Sequence, residues 1–349
     1  MKDHSRIKPP ISPLIWQGDG LRFLDQRLLP HKVHFVQTRD WRVVRRGIRS
    51  LAIRGAPLIG VAAAYATVLA AKFPTQERNF SQYLRAVISS LKNARPTAFN
   101  PFWALSIMED MIWEHRAEDR EKLGSELEKL AVGLENEERE RCEAIALWGK
   151  TIIPKKAKIL TLCNTGFLAT PGMGTALGII YRAYQEGSNV QVYVLETRPL
   201  LQGSRLTMWE LVQMKIPARL LTDGAVGHLL QKEGIDLALI GADRIASNGD
   251  TANKVGSLNL AILCRHYQIP LYVAAPFSSI DTTVADGSGI PIEMRSEREI
   301  TYFSKRSIAP KGINVFNPAF DIIPHFLITA IITEKGISYP PYQFSLPLD

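Results

Sequence analysis

The feature that most constrains the fold is an alternation of short apolar runs with helical stretches, which starts near residue 155. The runs are rich in β-branched residues and show no polar face, so each is predicted to be a strand buried on both sides. Buried strands that alternate with helices form a parallel sheet covered by helices on both faces. We therefore predict an α/β fold with strands at residues 159–162, 190–195, 219–221, 237–240 and 271–274, and a further candidate at 314–316.

Polar residues follow several of these predicted strands directly. In parallel sheets, ligands bind beyond the carboxyl ends of the strands, so these residues are predicted to meet at one edge of the sheet. They include a thiol, three carboxylates and two guanidinium groups. The segments concerned are residues 163–166, 196–198, 222–223, 241–244 and 275–276.

Cys163 follows a predicted strand and precedes a glycine-rich loop, which leads into a helix predicted over residues 175–184. Free backbone N–H groups near a helix start can lower a thiol pKa and hold an anion. A buried cysteine that acts only as a small apolar side chain is the alternative interpretation. Cys142 and Cys264 fit that alternative, because both lie within helical apolar patterns.

The same loop partly resembles a dinucleotide-binding fingerprint, with Gly172 and Gly174 at the required spacing and Glu196 at the end of the next strand. However, Gly178 comes one residue late. In addition, eight residues separate Cys163 from Gly172, where the fingerprint needs a tight turn from strand to helix. The spacing therefore argues against NAD binding.

Asp243 comes shortly after the apolar strand predicted over residues 237–240. A carboxyl group beside apolar side chains has a raised pKa, as a general acid requires. The neighbouring Arg244 would lower that pKa if the two side chains met, and the sequence leaves this question open. A helix cap or a structural ion pair is the alternative interpretation of Asp243.

Three basic residues could bind a phosphate group. Arg54 precedes Gly55 and Ala56, whose small size lets the backbone approach a ligand at the start of an Ala-rich helix. Arg95 also leads into a predicted helix, and Lys254 follows Asn253 about ten residues beyond Asp243. Arginine holds phosphate as a bidentate fork and lysine as a point charge. An ordinary solvated surface charge is the alternative for each of them.

The formal net charge of +8 raises the question of nucleic-acid binding. The basic residues are scattered among acidic ones, with no Lys/Arg-rich block and no zinc-finger spacing, so we predict no nucleic-acid partner. A basic surface also attracts small phosphate esters. No apolar run reaches the roughly 18 residues of a membrane span, and three cysteines cannot form a disulfide framework. We therefore expect a cytoplasmic protein with no membrane partner.

Before residue 150 the pattern is mostly helical. An Ala-rich apolar helix is predicted over residues 60–72, and one or two amphipathic helices over residues 109–150. Residues 11–36 are predicted to form a small β-hairpin. The chain has 349 residues, which suits either two domains or one large α/β domain with an extension.

Several segments together resemble the methylthioribose-1-phosphate isomerase family, whose members act in methionine salvage. That family is related to the regulatory α, β and δ subunits of the eukaryotic initiation-factor-2 guanine-exchange factor. The matching segments keep a consistent order over about nine tenths of the chain, so a chance match is implausible. They are residues 24–30, 53–60, 94–98, 163–166, 174–178, 196–203, 241–246, 248–250, 252–254 and 317–321.

The resemblance implies an aldose–ketose isomerase that acts on a sugar phosphate, with Cys163 as the catalytic thiol and Asp243 as the proton donor. The regulatory subunits lack this pair, so its presence favours an enzyme. The resemblance also implies that no metal and no organic cofactor take part. The residues that it implies as substrate contacts are Arg54, Gly55, Ala56, Arg95, Gln202, Asn253 and Lys254.

For the architecture, the resemblance implies a Rossmann-like parallel sheet in a C-terminal catalytic domain, residues 131–349. It implies a smaller, mainly helical N-terminal domain with a small β element, residues 1–130. It also implies that two copies of the chain pair as a homodimer.

The sequence departs from the family pattern at five positions that we predict to border the substrate pocket. The identity of the substrate is therefore left undecided between methylthioribose 1-phosphate and a related sugar phosphate such as ribose 1,5-bisphosphate. A non-catalytic, ligand-binding protein like the regulatory subunits is the alternative from a different class. The five positions are Leu162, Phe167, Met173, Gly224 and Ala225.

Overall fold

The structure is a computed structural model that describes residues 9–74, 79–95, 97–115, 119–303 and 306–344. Its helices are α1 (Trp41–Arg49), α2 (Ala56–Lys72), α3 (Phe80–Lys92), α4 (Asn100–Glu114), α5 (Arg120–Gly149), α6 (Ala176–Gln185), α7 (Met208–Gln213), α8 (Val226–Lys232), α9 (Ser257–His266) and α10 (Arg298–Thr301). Its strands are β1 (Leu14–Trp16), β2 (Leu21–Leu24), β3 (Phe35–Thr38), β4 (Lys156–Thr161), β5 (Asn189–Leu195), β6 (Ala218–Leu221), β7 (Leu237–Ile240), β8 (Arg244–Ala246), β9 (Thr251–Lys254), β10 (Leu271–Ala274), β11 (Ile280–Asp281), β12 (Tyr302–Phe303), β13 (Arg306–Ser307), β14 (Phe320–Ile323), β15 (Ala330–Thr333) and β16 (Gly336–Ser338).

Helix α2 is the centre of the N-terminal part of the chain. Every residue from Ala56 to Ala71 is buried, as expected for a helix that is apolar on all sides. Helices α1, α3, α4 and α5 pack around it and complete one apolar core. The Ala-rich helix predicted over residues 60–72 is confirmed, and it starts four residues earlier.

A small sheet with the order β1-β2-β3 packs against this helical core. Both strand pairs are antiparallel, and the turn between β1 and β2 is closed by the Gln17 N–H, which donates to the Gly20 carbonyl at 2.9 Å. The hairpin predicted over residues 11–36 is therefore confirmed, with β3 as an additional strand.

Helices α4 and α5 account for the charged segment predicted over residues 109–150. In α5, the core around α2 includes Leu123, Leu127, Ala131 and Leu134, whereas Ile145 belongs to a core under the main sheet. The predicted domain boundary at residue 130 stays a prediction, and α5 runs through it. Neither α5 nor any other helix in the described residues is long and apolar enough to cross a membrane.

The main sheet has the order β16-β15-β10-β7-β4-β5-β6. Its strands from β6 to β15 are parallel, and the edge strand β16 is antiparallel to β15. Successive strand residues face opposite cores, because Ile159 and Leu239 belong to one and Leu160 and Ile240 to the other. This burial of both faces confirms the predicted α/β fold with a parallel sheet.

Five predicted strands are observed as β4, β5, β6, β7 and β10, with ends that shift by at most three residues. The candidate strand at residues 314–316 is wrong. Phe316 is 80% exposed, and this run has no strand to pair with in the described residues. The sheet is instead extended by β15, whose four residues are all buried.

The strand order changes direction at β4 and β7, which are neighbours in the sheet. From β4 the chain continues to β5 and β6 on one side, whereas β7, β10 and β15 lie on the other side. Connections that leave such a point in opposite directions open a crevice where α/β sheets bind ligands. Cys163 lies two residues beyond the end of β4, and Asp243 lies three residues beyond the end of β7.

A second sheet, β11-β8-β9-β14, continues from the carboxyl end of β7. Its strands β9 and β14 are antiparallel, so that Phe320 pairs with Lys254 and Asp321 with Asn253. This pairing brings the late segment near residue 320 next to the residues that follow β7.

Candidate active site

Two adjoining cavities lie at the carboxyl ends of β4 and β7, with empty volumes of about 530 and 400 Å³. All nine residues predicted as catalytic or substrate-binding line one or both of them, whereas the other charged strand-end residues, Glu196, Arg198, Asp223 and Arg244, line neither. Both cavities are lined by Cys163, Asp243, Arg54 and Gly55; the first adds Arg95, Gln202 and Lys254, and the second adds Ala56 and Asn253.

Gly55 allows the N-terminal part of the chain to approach the loop formed by residues 163–170, the Cys163 loop. Its φ of +91° lies in the region that favours glycine, and a Cβ at this position would overlap the Ala169 carbonyl oxygen. The Leu58 N–H donates to the same oxygen at 3.2 Å. This close approach places Arg54 beside the Cys163 loop.

The backbone of Cys163 is held in an uncommon conformation, with a φ of +63°. Non-glycine residues rarely adopt this region, and those that do cluster at functional sites. The Cys163 N–H donates to Thr197 Oγ1 at 2.9 Å, and the Cys163 carbonyl accepts from Thr207 Oγ1 at 2.5 Å. Two threonine hydroxyls therefore hold the residue that presents its thiol to both cavities.

The other two cysteines fit the apolar interpretation. Cys142 in α5 and Cys264 in α9 are buried, and burial raises the pKa of each thiol to about 12. Both stay protonated at neutral pH. Within the described parts of the chain, no group of three or more His, Cys, Asp or Glu side chains is placed to hold a metal ion.

The Asp243 carboxyl lines both cavities and makes no hydrogen bond to any residue that the structure describes. Burial raises the pKa of Asp243 above its usual value, and the positive charges of Lys254, Arg95 and Arg54 oppose this rise in part. A carboxyl group with a raised pKa and no protein partner can deliver a proton to a ligand.

The neighbouring Arg244 does not reach Asp243, which answers the question left open by the sequence. Its guanidinium binds Asp281, with Nε donating to Oδ2 at 2.8 Å, and lies 5.1 Å from the centre of the Phe99 ring. The Phe99 N–H in turn donates to the Asp243 carbonyl at 3.2 Å. The structural ion pair in this region therefore belongs to Arg244, and the Asp243 side chain is left to the cavities.

Two cations in the cavities are held by main-chain oxygen atoms. Arg54 donates to the Asn164 carbonyl at 2.8 Å and also to the Asn164 side-chain oxygen. Lys254 Nζ donates to the Ala319 carbonyl at 2.7 Å, and burial lowers the pKa of Lys254. Neutral carbonyls orient these groups without cancelling their charge, so both remain able to bind an anion.

Arg95 is buried, with its Nε 3.2 Å from Glu293 Oε2. Its Nε and one terminal nitrogen form no hydrogen bond within the described residues. Arg295 also lines the first cavity, but its guanidinium is bound by Glu293 at 2.8 Å and by Glu299, with Nε 3.0 Å from Oε1. Of these two arginines, Arg95 has the unused donors.

Gln202 and Asn253 add amide groups to the cavities. The side-chain oxygen of Gln202 is buried and accepts no hydrogen bond from any described residue. Asn253 Nδ2 donates to Ser257 Oγ at 2.8 Å, which fixes the orientation of its amide. Amides that can accept and donate suit the hydroxyl groups of a sugar.

The sequence did not reveal several polar residues of the site. Thr207, which holds Cys163, and Glu210, which binds Asn164, lie in none of the predicted strand ends or family segments, whereas Thr197 lies in the predicted strand end at residues 196–198. Asn164 lies in the family segment 163–166, but Thr207 and Glu210, to which its amide donates, are 43 and 46 residues away in sequence. Local spacing therefore could not reveal these contacts. Arg295 and Glu299 line the first cavity but were also missed, because they lie in none of the segments that resemble the family.

The five positions that depart from the family pattern do not line either cavity, contrary to the prediction that they border the pocket. The first three are buried in the two apolar cores of the main sheet. The last two lie in a short turn after β6. In order, they are Leu162, Phe167, Met173, Gly224 and Ala225.

Comparison with known sequences identifies relatives that extend over nearly the whole chain. The model of the initiation factor 2 subunit family matches residues 52–340. The chain is 47% identical over 334 residues to a methylthioribose-1-phosphate isomerase of Pelotomaculum thermopropionicum, which covers 95% of this chain and 92% of that protein. It is 43% identical over 338 residues to a methylthioribose-1-phosphate isomerase of Desulforamulus reducens, with coverage of 96% and 98%.

Solved structures agree with these sequence matches. The crystal structure of 5-methylthioribose 1-phosphate isomerase from Pyrococcus horikoshii OT3 has a TM-score of 0.87 and 35% identity, and the match covers 97% of this chain and 96% of that one. The structure of the translation initiation factor eIF-2B subunit delta from A. fulgidus has a TM-score of 0.81 and 36% identity, with coverage of 95% and 97%. The chain therefore belongs to the initiation factor 2 subunit family.

Proposed function

We propose that this protein is an aldose–ketose isomerase that converts 5-methylthioribose 1-phosphate into 5-methylthioribulose 1-phosphate, a step of methionine salvage. The observation that carries the proposal is the meeting of a free thiol, an unpartnered carboxyl and three cations in two adjoining cavities at the switch point of the sheet. The names of the relatives from Pelotomaculum thermopropionicum and Pyrococcus horikoshii support the same reaction.

In this proposal Cys163 and Asp243 are the catalytic residues, and the surrounding residues bind the substrate. Cations with unused donors bind the phosphate, while amide and backbone groups bind the sugar hydroxyls. No metal or organic cofactor is assigned to the reaction. The proposed substrate contacts are Arg54, Gly55, Ala56, Arg95, Gln202, Asn253 and Lys254.

The first chemical step is the opening of the sugar ring. The phosphate is attached to the anomeric oxygen, so the ring cannot open spontaneously to a free aldehyde. Asp243, whose pKa is raised by burial, donates a proton to the ring oxygen as the bond between that oxygen and C1 breaks. The nearby Arg54, Arg95 and Lys254 hold the phosphate while charge develops on the sugar.

The second step transfers hydrogen from C2 to C1. The Cys163 thiolate takes the C2 proton, which gives an enol, and the resulting thiol returns a proton to C1. The C2 hydroxyl loses its proton to the Asp243 carboxylate as the ketone forms, so the aspartate regains the proton that it donated. A hydride shift from C2 to C1 is the alternative route, in which Cys163 only orients the sugar.

The lining of the first cavity favours the methylthio sugar over a bisphosphate. Leu51, Ile59, Leu200 and Phe320 provide an apolar wall that suits a thioether. Arg295, the further cation of this cavity, is already bound by two carboxylates and is not free for a second phosphate.

Several finer features of the protein are part of the same proposal. The order β6-β5-β4-β7-β10-β15 corresponds to 3-2-1-4-5-6, which supports a Rossmann-like C-terminal domain over residues 131–349. A mainly helical domain over residues 1–130, a homodimer and a cytoplasmic location complete it. The three free cysteines support a reducing compartment.

A coupled assay with methylthioribose 1-phosphate, ribose 1,5-bisphosphate and ribose 1-phosphate tests the function. We expect efficient turnover of the first compound and slow or no turnover of the others. Tight binding of one compound without turnover of any would favour a regulatory, ligand-binding protein, an alternative suggested by the similarity to the A. fulgidus subunit.

Substrate deuterated at C2 distinguishes the two routes of hydrogen transfer. We expect the product formed in ordinary water to lose part of the label, because the proton on Cys163 exchanges with solvent. Full retention at every extent of reaction would favour the hydride shift.

A further inference from the structure

A buried carboxylate with no assigned role lies behind the Cys163 loop. Glu210 in α7 is 0% exposed and lines neither cavity. Its carboxylate accepts hydrogen bonds from the Tyr181 hydroxyl at 2.6 Å, the Asn164 amide at 2.7 Å, and the Phe167 and Leu168 N–H groups at 2.8 and 3.1 Å. A buried acid that is this fully bonded to one loop has a specific task, because burying an unneeded carboxylate is costly.

Gly166 permits the close packing between Glu210 and the loop. A Cβ at residue 166 would overlap one carboxylate oxygen of Glu210. The packing of Glu210 therefore explains why residue 166 is a glycine. The Glu210 carboxylate lies directly against the backbone that follows Cys163.

Asn164 connects this carboxylate to the substrate cavities. An amide side chain has one donating end and one accepting end. Two of the other partners of Glu210 are the backbone N–H groups of Phe167 and Leu168, which can only donate, so Glu210 is an acceptor here and the nitrogen of Asn164 faces it at 2.7 Å. The oxygen of Asn164 then faces the opposite way and accepts a hydrogen bond from Arg54, whose second terminal nitrogen donates to the Asn164 carbonyl at 2.8 Å.

We infer that Glu210 is a positioning residue that fixes the orientation of the Asn164 amide and thereby holds the Arg54 guanidinium in the substrate cavities. The inference rests on the proposed function, in which Arg54 binds the phosphate of the substrate. Glu210 touches no substrate, so its effect reaches the reaction only through Asn164 and Arg54.

The test begins with Glu210→Gln, which keeps the size of the side chain and introduces an NH₂ group opposite N–H donors. The amide of Asn164 is then repelled or rotated, and Arg54 loses its side-chain acceptor. We expect KM for methylthioribose 1-phosphate to rise about tenfold, as the loss of a charge-assisted hydrogen bond predicts, with a smaller change in kcat. An unchanged KM would overturn the inference.

Tyr181→Phe is the matched control, because it removes one hydrogen bond from the same carboxylate without involving Asn164. We expect this variant to lower the melting temperature while KM stays within about twofold of the wild-type value. A rise in KM equal to that of Glu210→Gln would mean that any loosening of this region weakens binding. It would contradict a specific effect of Glu210 through Asn164 and Arg54.

A double-mutant cycle with Asn164→Ala separates positioning from general stability. We expect Asn164→Ala to raise KM about tenfold. In that background Glu210→Gln should add less than about twofold, because both changes break the same connection from Glu210 through Asn164 to Arg54. Multiplicative effects on KM would show that Glu210 does not act through Asn164. Should Glu210→Gln fail to fold, an unchanged KM in Asn164→Ala would still overturn the inference.

A binding measurement keeps this inference separable from the proposed function. The affinity for inorganic phosphate, read from the rise in melting temperature, is expected to fall about tenfold in both single variants and no further in the double variant. A wild-type protein that binds phosphate but turns over none of the sugars would refute the proposed isomerase activity but not the positioning role of Glu210. A wild-type protein that does neither would overturn both.

Discussion

The helix α2 core and the cavity edge of the main sheet are buried to a similar degree but are built from opposite chemistry. Sixteen successive residues of α2 are buried, and almost all are apolar. At the cavity edge, Arg95, Lys254 and Glu210 are also nearly inaccessible to solvent, although burial of charged groups opposes folding. The first region stabilises the fold, and the second uses that stability to hold charged groups in place. Changes in the part of α2 beyond Ile59, which lines neither cavity, should therefore alter stability alone, whereas changes at the edge should alter the reaction.

The strongest test of this contrast compares two cysteines. Cys163→Ser replaces the thiol by a hydroxyl that ionises far less readily, so we expect kcat to fall by about 10³–10⁴-fold with little change in melting temperature. Cys264→Ser places a hydroxyl in the apolar core beside α9 and is expected to lower the melting temperature while leaving kcat unchanged. Steady-state kinetics and thermal unfolding of both variants check this, and a similar loss of activity in both would refute the distinction.

The second test removes the proposed acid. Asp243→Asn cannot donate a proton to the ring oxygen, so we expect kcat to fall by about 10²–10⁴-fold. The wild-type rate should decline as pH rises through the raised pKa of Asp243, because only the protonated form is active, and the residual rate of the variant should lack this decline. A variant with the wild-type pH profile would assign that titration to another group.

The third test moves to the core. Leu69→Ala in α2 removes a fully buried side chain, and we expect a loss of about 2–5 kcal/mol in the free energy of unfolding, with normal kcat for the molecules that remain folded. Denaturant unfolding measures the loss. Val212→Ala, at a residue that is 66% exposed, is the control and should change stability by no more than about 0.5 kcal/mol. Loss of kcat in Leu69→Ala would show that the core and the edge are not separable.

The smallest expected effect concerns an acid buried in α5. Burial raises the pKa of Glu138 to about 7, from 4.5 for the exposed group. The folded protein therefore holds a proton that the unfolded chain has lost, and stability falls as pH rises from about 4.5 to about 7. Glu138→Gln is neutral throughout, so its stability relative to the wild type should increase over this window by on the order of 2–3 kcal/mol. Unfolding curves at pH 5, 6 and 8 measure the difference, and a constant offset between the two proteins would contradict the expectation.

Local patterns predicted the parts of the fold that depend on local physics. Short apolar runs identified β4, β5, β7 and β10, because strands buried on both faces are rich in apolar residues. The run at residues 314–316 also contains apolar residues, Val315 and Phe316, but lies at the surface, and composition alone does not reveal which neighbours a strand has.

The site shows the same division between local and distant information. Strand ends brought Cys163 and Asp243 together, and the resemblance supplied Gln202 and Asn253. The partners of Asn164 could not be predicted, because Glu210 and Arg54 lie 46 and 110 residues away and meet it only after both parts of the chain have folded. Residues that position others are the ones that a single sequence reveals least.

The contact at Gly55 also limits how this reaction can be inherited. The cations of the cavities come from both parts of the chain, since Arg54 and Arg95 precede α4 whereas Lys254 follows β7. Recombination between related genes near residue 150 would join one set of cations to another thiol and acid, across a backbone contact that tolerates no side chain at residue 55. Such exchanges would rarely preserve activity, so the two parts are expected to descend together as one evolutionary unit.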